Sequence, residues 1–242
     1  MKKLAIIISF LIFSIVSYAQ TAEEVIESYI GAVGGEANLL AIKSVKMSGQ
    51  ANASGMEFPM VILQKGKTQF KSYISFQGMD IVQPAAYDGE EVWSTNFMNM
   101  QNEVMEGEAA EAVKREAKDF PDPLLEYAKN GYSVELGEDA TIDGLAHYSL
   151  SLVKPDQTIE GQEISGVTTF IIDKESHLVV QRIQKNAMGT IKTLMSNYSK
   201  VNDVLFPHTM KTEINGNMMS EVEIKSIEVN IPMDDLQFSF PD

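Results

Sequence analysis

The stretch NFMNMQNEVMEGEAAEAVKREAKDFPDPLLEYAKNG, Asn96–Gly131, decides how the chain is read. It opens rich in methionine (Met98, Met100, Met105), turns helical, breaks at Pro121 and Pro123, and turns helical again. On either side, past an N-terminal helix, the chain alternates polar and apolar residues at period two. About 35 residues of this kind between strands far exceeds the usual connection. In an all-β chain such a stretch either covers an open sheet or lids a cavity. The pattern predicts two helices broken at Pro121-Asp122-Pro123 and entered through a Met-rich arm.

Upstream, Tyr87-Asp88-Gly89-Glu90 is a turn with Gly at the position that needs φ > 0. It leads into Val92-Trp93-Ser94-Thr95, which carries the single tryptophan. A lone Trp most often anchors a core, because its area dominates packing wherever it falls. Four strands precede it. Their apolar positions are Val45, Met47 and Ala51; Met56, Phe58, Met60 and Ile62; Phe70, Ile74 and Phe76; and Met79–Ala86. Ser54-Gly55, Lys65-Gly66-Lys67 and Gln77-Gly78 turn one into the next, so an antiparallel meander is expected. Val61 and Leu63 make the second face of one strand apolar too. A sheet with two such faces has something packed on each, or a ligand on one. Ahead of the meander, Thr21 and Glu24 have capping-box spacing at the start of a helix over Thr21–Val33. Val25, Ile26, Tyr29, Ile30 and Val33 form its apolar stripe. Gly34-Gly35 ends it, and Glu36–Ile42 reads as a second short helix.

Downstream, strands resume at Tyr132–Leu136 and Ala146–Val153. A polar loop follows over Lys154–Gly166, then a hairpin of Val167–Ile172 and Leu178–Gln184. Thr190–Tyr198 and Leu205–Ile214 continue the meander, and Asn215-Gly216 is its strongest hairpin turn. The last strand changes parity. Val222 and Ile224 share one face, whereas Ile227, Val229 and Ile231 fall on the other, so a β-bulge is expected near Lys225-Ser226. A short apolar tail, Leu236–Phe240, closes the chain. About eleven strands without βαβ alternation predict a mainly β (α+β) fold, one large antiparallel sheet in a single domain over residues 20–242.

Residues 1–19 read as a secretory signal peptide. Lys2 and Lys3 precede an apolar run, Leu4–Val16, broken only by Ser9 and Ser14, and Ser17-Tyr18-Ala19 is a small-x-small cleavage site. The run is short for a membrane span. The formal charge is −15; cleavage leaves 17 basic against 34 acidic residues, or −17. So acidic a chain argues against nucleic acid and against docking on anionic lipid headgroups. The absence of cysteine removes disulfides, a thiol nucleophile and a thiolate metal site together. It also removes the residue that would carry a lipid anchor, so a soluble periplasmic protein is expected, secretion being the lesser alternative.

Residues with catalytic spacing are scarce. His147, His177 and His208 show no HxH or HxxxH pairing, so a zinc site would need them to converge from distant strands. No G-x-S-x-G elbow, phosphate loop or GxGxxG is present. Carboxylates abound without a pair that stands apart from an acidic surface. The 14 methionines raise thioether binding of copper as one reading. The other is a flexible, polarizable lining for apolar ligands of variable shape. Acyl chains suit such a lining, at about 0.8 kcal/mol per buried CH₂. No enzyme activity and no cofactor are expected.

Several runs together resemble a known family. They are TAEEVIESYIGAVGG, LLAIKSVKMSG, AYDGEEVW, DFPDPLLEYAKNGYSVELGEDATIDGLAHYSLSL, FIIDKESHLVVQRI, YSKVNDVLFPHTM and IEVNIPMDDLQFSFP. In order and spacing they are similar to outer-membrane lipoprotein-sorting proteins of the LolA/LolB-like carrier superfamily, in the form common in Bacteroidetes-type bacteria. The resemblance implies an unclosed β-barrel, a strongly curved sheet whose concave side is covered by helices, with residues 96–131 part of the plug or lid. It implies that acyl chains of lipoproteins or other lipids bind between sheet and helices. An inner-membrane exporter and an outer-membrane acceptor would be its partners, with no stable membrane insertion, and a monomer is expected. Two features depart from the family. The arginine latch expected on an early strand is missing, since the only arginines are Arg115 and Arg182, and the cysteine of the receptor branch is absent.

The expected acyl-binding residues are Phe58, Met60, Ile62, Phe70, Ile74, Phe76, Trp93, Phe97, Met98 and Met100. Val113, Ala117, Phe120, Leu124, Leu125 and Tyr127 would join them from the covering helices. Met98→Asp combined with Met100→Asp is expected to abolish acyl binding. One rival reading is a protein-interaction or structural module with a fully plugged sheet. Another is a hydrolase on the same scaffold, which would need acids or histidines clustered in the cleft.

Overall fold

A computed structural model describes residues 20–159, 162–186 and 189–241; the signal peptide expected over residues 1–19 lies outside them. The first helix, α1 (Ala22–Val33), starts as its capping box dictates. Thr21 Oγ1 accepts the Glu24 N–H, and the Glu24 carboxylate accepts the Thr21 N–H at 2.9 Å. A short α2 (Glu36–Ala41) follows. The strands β1 (Ser44–Ala53), β2 (Met56–Lys65), β3 (Gln69–Phe76) and β4 (Met79–Tyr87) form the expected meander. It continues through β5 (Val92–Asn96) and β6 (Gln101–Met105) to α3 (Gly107–Lys118). The remaining strands of the main sheet are β7 (Ser133–Leu136), β8 (Ala140–Ile142) and β9 (Leu145–Val153). After a separate hairpin, β10 (Gln157–Ile159) and β11 (Gln162–Ile164), come β12 (Val167–Asp173), β13 (Val179–Asn186), β14 (Gly189–Val201), β15 (Val204–Ile214) and β16 (Asn217–Val229).

The large sheet is curved, antiparallel and left unclosed. Its 14 strands run β6-β5-β4-β3-β2-β1-β16-β15-β14-β13-β12-β9-β7, with β8 on β9. Thus β6 and β7 lie at opposite ends of the order, and the chain between them, residues 106–132, leads from one edge of the sheet to the other. The β1–β16 pair joins an early meander to a late one. The β-bulge appears where parity requires it: Ser48 pairs with Ser226 and Gly49 with Ile224, so Lys225 is the extra residue. Ile224, Ile227 and Val229 are thereby all turned onto one face. Gly49 is required opposite the bulge, because a Cβ there would lie 2.0 Å from the Glu223 carbonyl oxygen.

That face, the inner one, carries the main core. The α1 stripe (Val25, Ile26, Tyr29, Ile30, Val33) packs with Leu39 of α2 on Leu150, Leu152, Phe170, Ile172, Val204 and Ile224. The outer face of the early strands is covered by the C-terminal segment. Met233 and Phe238 pack on Leu63, and Phe240 on Trp93 at 5.7 Å between ring centroids. The Trp93 indole N–H donates to the Phe238 carbonyl at 2.8 Å. Of the two apolar faces of β2, the outer one, Val61 and Leu63, is the face this segment packs on.

The structure corrects three expectations. More strands form than about eleven, because the polar β6 and the three-residue β8 lack a visible period. The Met-rich arm is a hairpin, β5–β6, rather than a lead into a helix. The second helix after Pro123 does not form; residues 120–132 run as successive turns. Asp122 caps the Leu124 N–H through its side chain at 2.8 Å, which competes with helical bonding. Phe120, Leu124, Leu125, Tyr127 and Tyr132 all reach the main core, more than one helix stripe can bury on one side. The polar loop over Lys154–Gly166 contains the β10–β11 hairpin, which rests against α3.

Candidate functional site

Strand register gathers the expected acyl-binding residues of β2 and β3 onto the inner face. Met60 pairs with Ile74 and Ile62 with Ser72; across β1, Phe58 pairs with Ala51 and Met60 with Gly49. Ile74 continues to Ile81 and Phe76 to Met79 on β4. Phe58 and Phe76 meet edge to face, 5.8 Å between centroids. The small residues Gly49 and Ala51 of β1 border this apolar strip, the trough. It is apolar and half-open: Phe76 is 36% exposed, Met79 49% and Met56 56%. Phe70 lies further along the same face, opposite Tyr87.

Covering begins at α3. Ala110, Val113 and Ala117 lie on Ala85, Tyr87, Val92 and Met105. Small residues on the helix let it sit close to the sheet. From its C-terminus the chain is pinned down by polar contacts. Lys154, buried, pairs with buried Asp119, and reaches Glu116 at 3.3 Å. Tyr29 of α1 donates to Asp122 Oδ2 at 2.6 Å. Lys67 in the β2–β3 turn meets Glu126 at 2.5 Å, and Lys129 meets the same carboxylate at 2.9 Å. Burial pushes the Asp122 carboxyl up, against the opposing pull of the Tyr29 hydroxyl and the Leu124 N–H. Burial and the facing Asp122 also hold the Tyr29 hydroxyl well above the usual phenol range. Hydrogen bonds from Lys67 and Lys129 draw Glu126 down to about 2. Two lysines thus clamp the segment where an arginine latch would be expected. Arg115 and Arg182 make no ion pair with a described residue, and the Nε of each is buried without a partner.

Beneath α3 and the 119–123 turn lies a cavity of about 180 Å³. Its floor is inner-face sheet: Gln64 of β2, Leu152 of β9, Thr168 and Phe170 of β12, Arg182 and Gln184 of β13. Its roof is Glu116, Asp119, Phe120, Pro121 and Pro123, and Lys154 closes one side. Gln184 Nε2 donates to Thr168 Oγ1 at 3.2 Å, and Gln64 Nε2 donates to the Ala117 carbonyl at 3.4 Å.

The other expected residues are dispersed. Trp93 is on the outer face, 1% exposed, opposite in direction to Val92, which α3 covers. Phe97, Met98 and Met100 occupy the β5–β6 turn at 60%, 97% and 38% exposure, on the rim. Asn96 and Asn99 build that turn: Asn96 Oδ1 accepts the Met98 N–H, and Asn99 Oδ1 accepts the Gln101 N–H. Leu124 is in the main core, and Phe120 touches both core and cavity. Residue patterns did not disclose Arg182, Gln184, Lys154, Asp119 or the Tyr29–Asp122 pair. Arg182 and Gln184 alternate on one strand face, a period-two signal that reads as solvent-facing when its residues are polar.

His147 approaches Asp173 at 3.6 Å, and His208 Nδ1 faces the Phe206 carbonyl. No group of three or more potential metal ligands occurs among the described residues. No described helix is long and apolar enough to cross a membrane.

No protein-family model matches the chain, and no curated protein matches it. Solved structures do. A LolA superfamily protein from Nitrosomonas europaea superposes with TM-score 0.57 at 13% identity, over 92% of this chain and 99% of that one. A domain described as an outer membrane lipoprotein-sorting protein from Vibrio parahaemolyticus gives 0.56 at 11% identity, over 90% and 95%. A DUF1329 family protein from Desulfovibrio piger gives 0.56 at 14% identity, over 91% and 98%. The shared feature is the fold, an open curved sheet with helices on one face. At these identities the likeness is one of fold, shared by LolA superfamily and DUF1329 proteins alike, and it does not single out a Bacteroidetes-type branch.

Proposed function

We propose that the protein is a periplasmic carrier that holds acyl chains of lipids or lipoproteins against the inner face of β2–β4. The observation that carries this reading is the apolar trough of Phe58, Met60, Ile74, Phe76 and Met79, half-open beside a helix-covered core. A soluble domain seldom leaves a contiguous apolar surface on a concave face unless something binds there. Likeness of fold to a lipoprotein-sorting domain and a LolA superfamily protein supports the same reading. The apolar segment at residues 4–16 supports export, and cargo passed on towards the outer membrane fits that location. The rival of a fully plugged sheet is less well supported, because the trough is open.

Native mass spectrometry of the protein purified without detergent, paired with titration of a fluorescent fatty acid, tests this. A co-purifying lipid or acylated peptide, or saturable binding near one per chain, is expected. A ligand-free protein that also fails to bind the probe sinks the proposal.

A further inference from the structure

We propose that the cavity beneath α3 seats an acidic-oxygen headgroup, carboxylate or phosphate, with the Arg182 guanidinium as its anchor. The inference rests on the carrier reading above and names the class of lipid that the trough would take.

Arg182 is the cavity's charge without a counter-charge. Two carboxylates line the same space, but Asp119 and Glu116 are both engaged by Lys154. Arg182 makes no ion pair or hydrogen bond with a described residue, and its Nε is shut off from solvent. The Arg182 guanidinium, half-buried with its Nε unpaired, calls for an explanation in what the site binds. Its planar fork matches the two oxygens of a carboxylate or phosphate. Thr168 adds a second donor: its oxygen accepts from Gln184, which leaves the hydroxyl hydrogen free to point into the cavity. Asp119 Oδ1 is also buried without a partner in the same wall. It repels a bare anion and welcomes a donor, which favours a headgroup carrying both, as phosphoethanolamine does.

Size and position agree with a headgroup. At about 180 Å³ the cavity holds a polar group and a few waters, not a bundle of acyl chains. The tail has a track to follow. Gln64 lines the cavity, and Ile62, Met60 and Phe58 succeed it at alternate positions on the same face of β2. From Gln64 to Phe58 there are six residue steps, roughly 20 Å at about 3.3 Å each. A polar end at Arg182 and an apolar end in the trough describe a single-chain amphiphile.

The test measures binding of three probes by isothermal titration: oleate, oleoyl lysophosphatidylethanolamine, and monoolein, which has the same chain and no charge. Wild type, Arg182→Gln and Arg182→Lys are compared. Wild type is expected to bind at least one acidic probe tenfold or more tighter than monoolein, and the tighter of the two identifies the source. Arg182→Gln should erase that preference while keeping monoolein affinity, and Arg182→Lys should keep part of it. Removing an unpaired charge should also raise the melting temperature of the ligand-free protein, which shows that the variant folds. Equal affinity for all three probes, or a preference that survives in Arg182→Gln, overturns the headgroup site and leaves the carrier intact. Failure to bind any probe, monoolein included, overturns both.

Discussion

Beneath α1 and α2, the inner face of β9, β12, β15 and β16 buries Leu150, Leu152, Phe170, Ile172, Val204 and Ile224 in one continuous core. On the early strands, Phe58, Met60, Ile74 and Phe76 point to the same side and stay half-open. The composition of the two surfaces differs little; what differs is the cover. Two helices and the turns of residues 120–132 close the late half, whereas in the early half α3 packs on Ala85, Tyr87, Val92 and Met105. Apolar surface in the late half is buried in the core, and apolar surface in the early half stays half-exposed. The chain that leads from one sheet edge to the other divides them, so the contacts that pin it are the first place to test the contrast.

The largest effect is expected at Lys154. Removing one member of a buried ion pair strands the other, so Lys154→Ala should cost about 3–5 kcal/mol in urea unfolding. The double change Lys154→Met with Asp119→Leu should restore most of that loss, because it leaves no orphaned charge. Lys67→Ala removes a partly exposed partner of Glu126 and should cost only about 0–1 kcal/mol. If both lysines cost the same, the buried contact is not what holds the 119–132 segment down.

Next in size is a direct comparison of the two halves. Leu150→Ala should destabilise by roughly 2–5 kcal/mol, since Leu150 is fully buried in the core. Ile74→Ala, in the trough, should cost less than about 1.5 kcal/mol, near the level of surface changes. Fatty-acid affinity should respond in the reverse order, falling several-fold for Ile74→Ala and little for Leu150→Ala measured where it is folded. Equal stability losses would mean that the trough is ordinary core.

Two carboxyls on the pinned segment should answer pH with opposite sign. Burial raises the folded pKa of Asp122 above its unfolded value near 3.8. Its ionisation therefore opposes folding: stability is full below that pH and declines as pH rises towards the raised value. Glu126 is drawn down from 4.5 to about 2, so its contribution is present above 4.5 and lost as pH falls through about 2. In unfolding midpoints measured from pH 2 to 8, Asp122→Asn should flatten the decline above pH 4. Glu126→Gln should flatten the loss at the acid end, by a smaller amount because its ion pairs face solvent. A curve for Asp122→Asn that parallels wild type throughout would show that Asp122 does not titrate against folding.

Much of this fold was legible in the sequence because local signals and tertiary demands agreed. The Thr21–Glu24 capping box, the early meander and the Lys225 bulge follow from caps, turns and parity, and each is where those rules put it. The second plug helix was misread because its core-seeking residues, Phe120 to Tyr132, serve several neighbours and override helical spacing. The candidate site was legible only in part. Alternation placed Phe58, Met60, Ile74 and Phe76 on one face, but it could not tell the inner face from the outer, so Trp93 was grouped with residues on the other side. Arg182 was invisible as an interior residue, because an arginine on a strand carries no mark of which side closes over it.

The smallest effect is expected at the rim. Met98 is 97% exposed on a turn that Asn96 and Asn99 hold by their own side chains, and Glu103 accepts hydrogen bonds from both. Replacing Met98 and Met100 by Asp removes no buried contact of Met98 and should change stability by no more than about 0.5 kcal/mol. Equilibrium affinity for a fatty acid should also stay near wild type, in contrast to the loss that strand pattern alone suggests, because the turn lies outside the trough. Apolar side chains held in water at the mouth of an apolar surface are placed to act on exchange. Transfer of a fluorescent fatty acid from the protein to neutral vesicles, followed by stopped flow, should slow in the double variant while affinity holds. Lost affinity would instead show that the β5–β6 hairpin folds over the trough in the bound state, which would make the early half as covered as the late one once cargo is aboard.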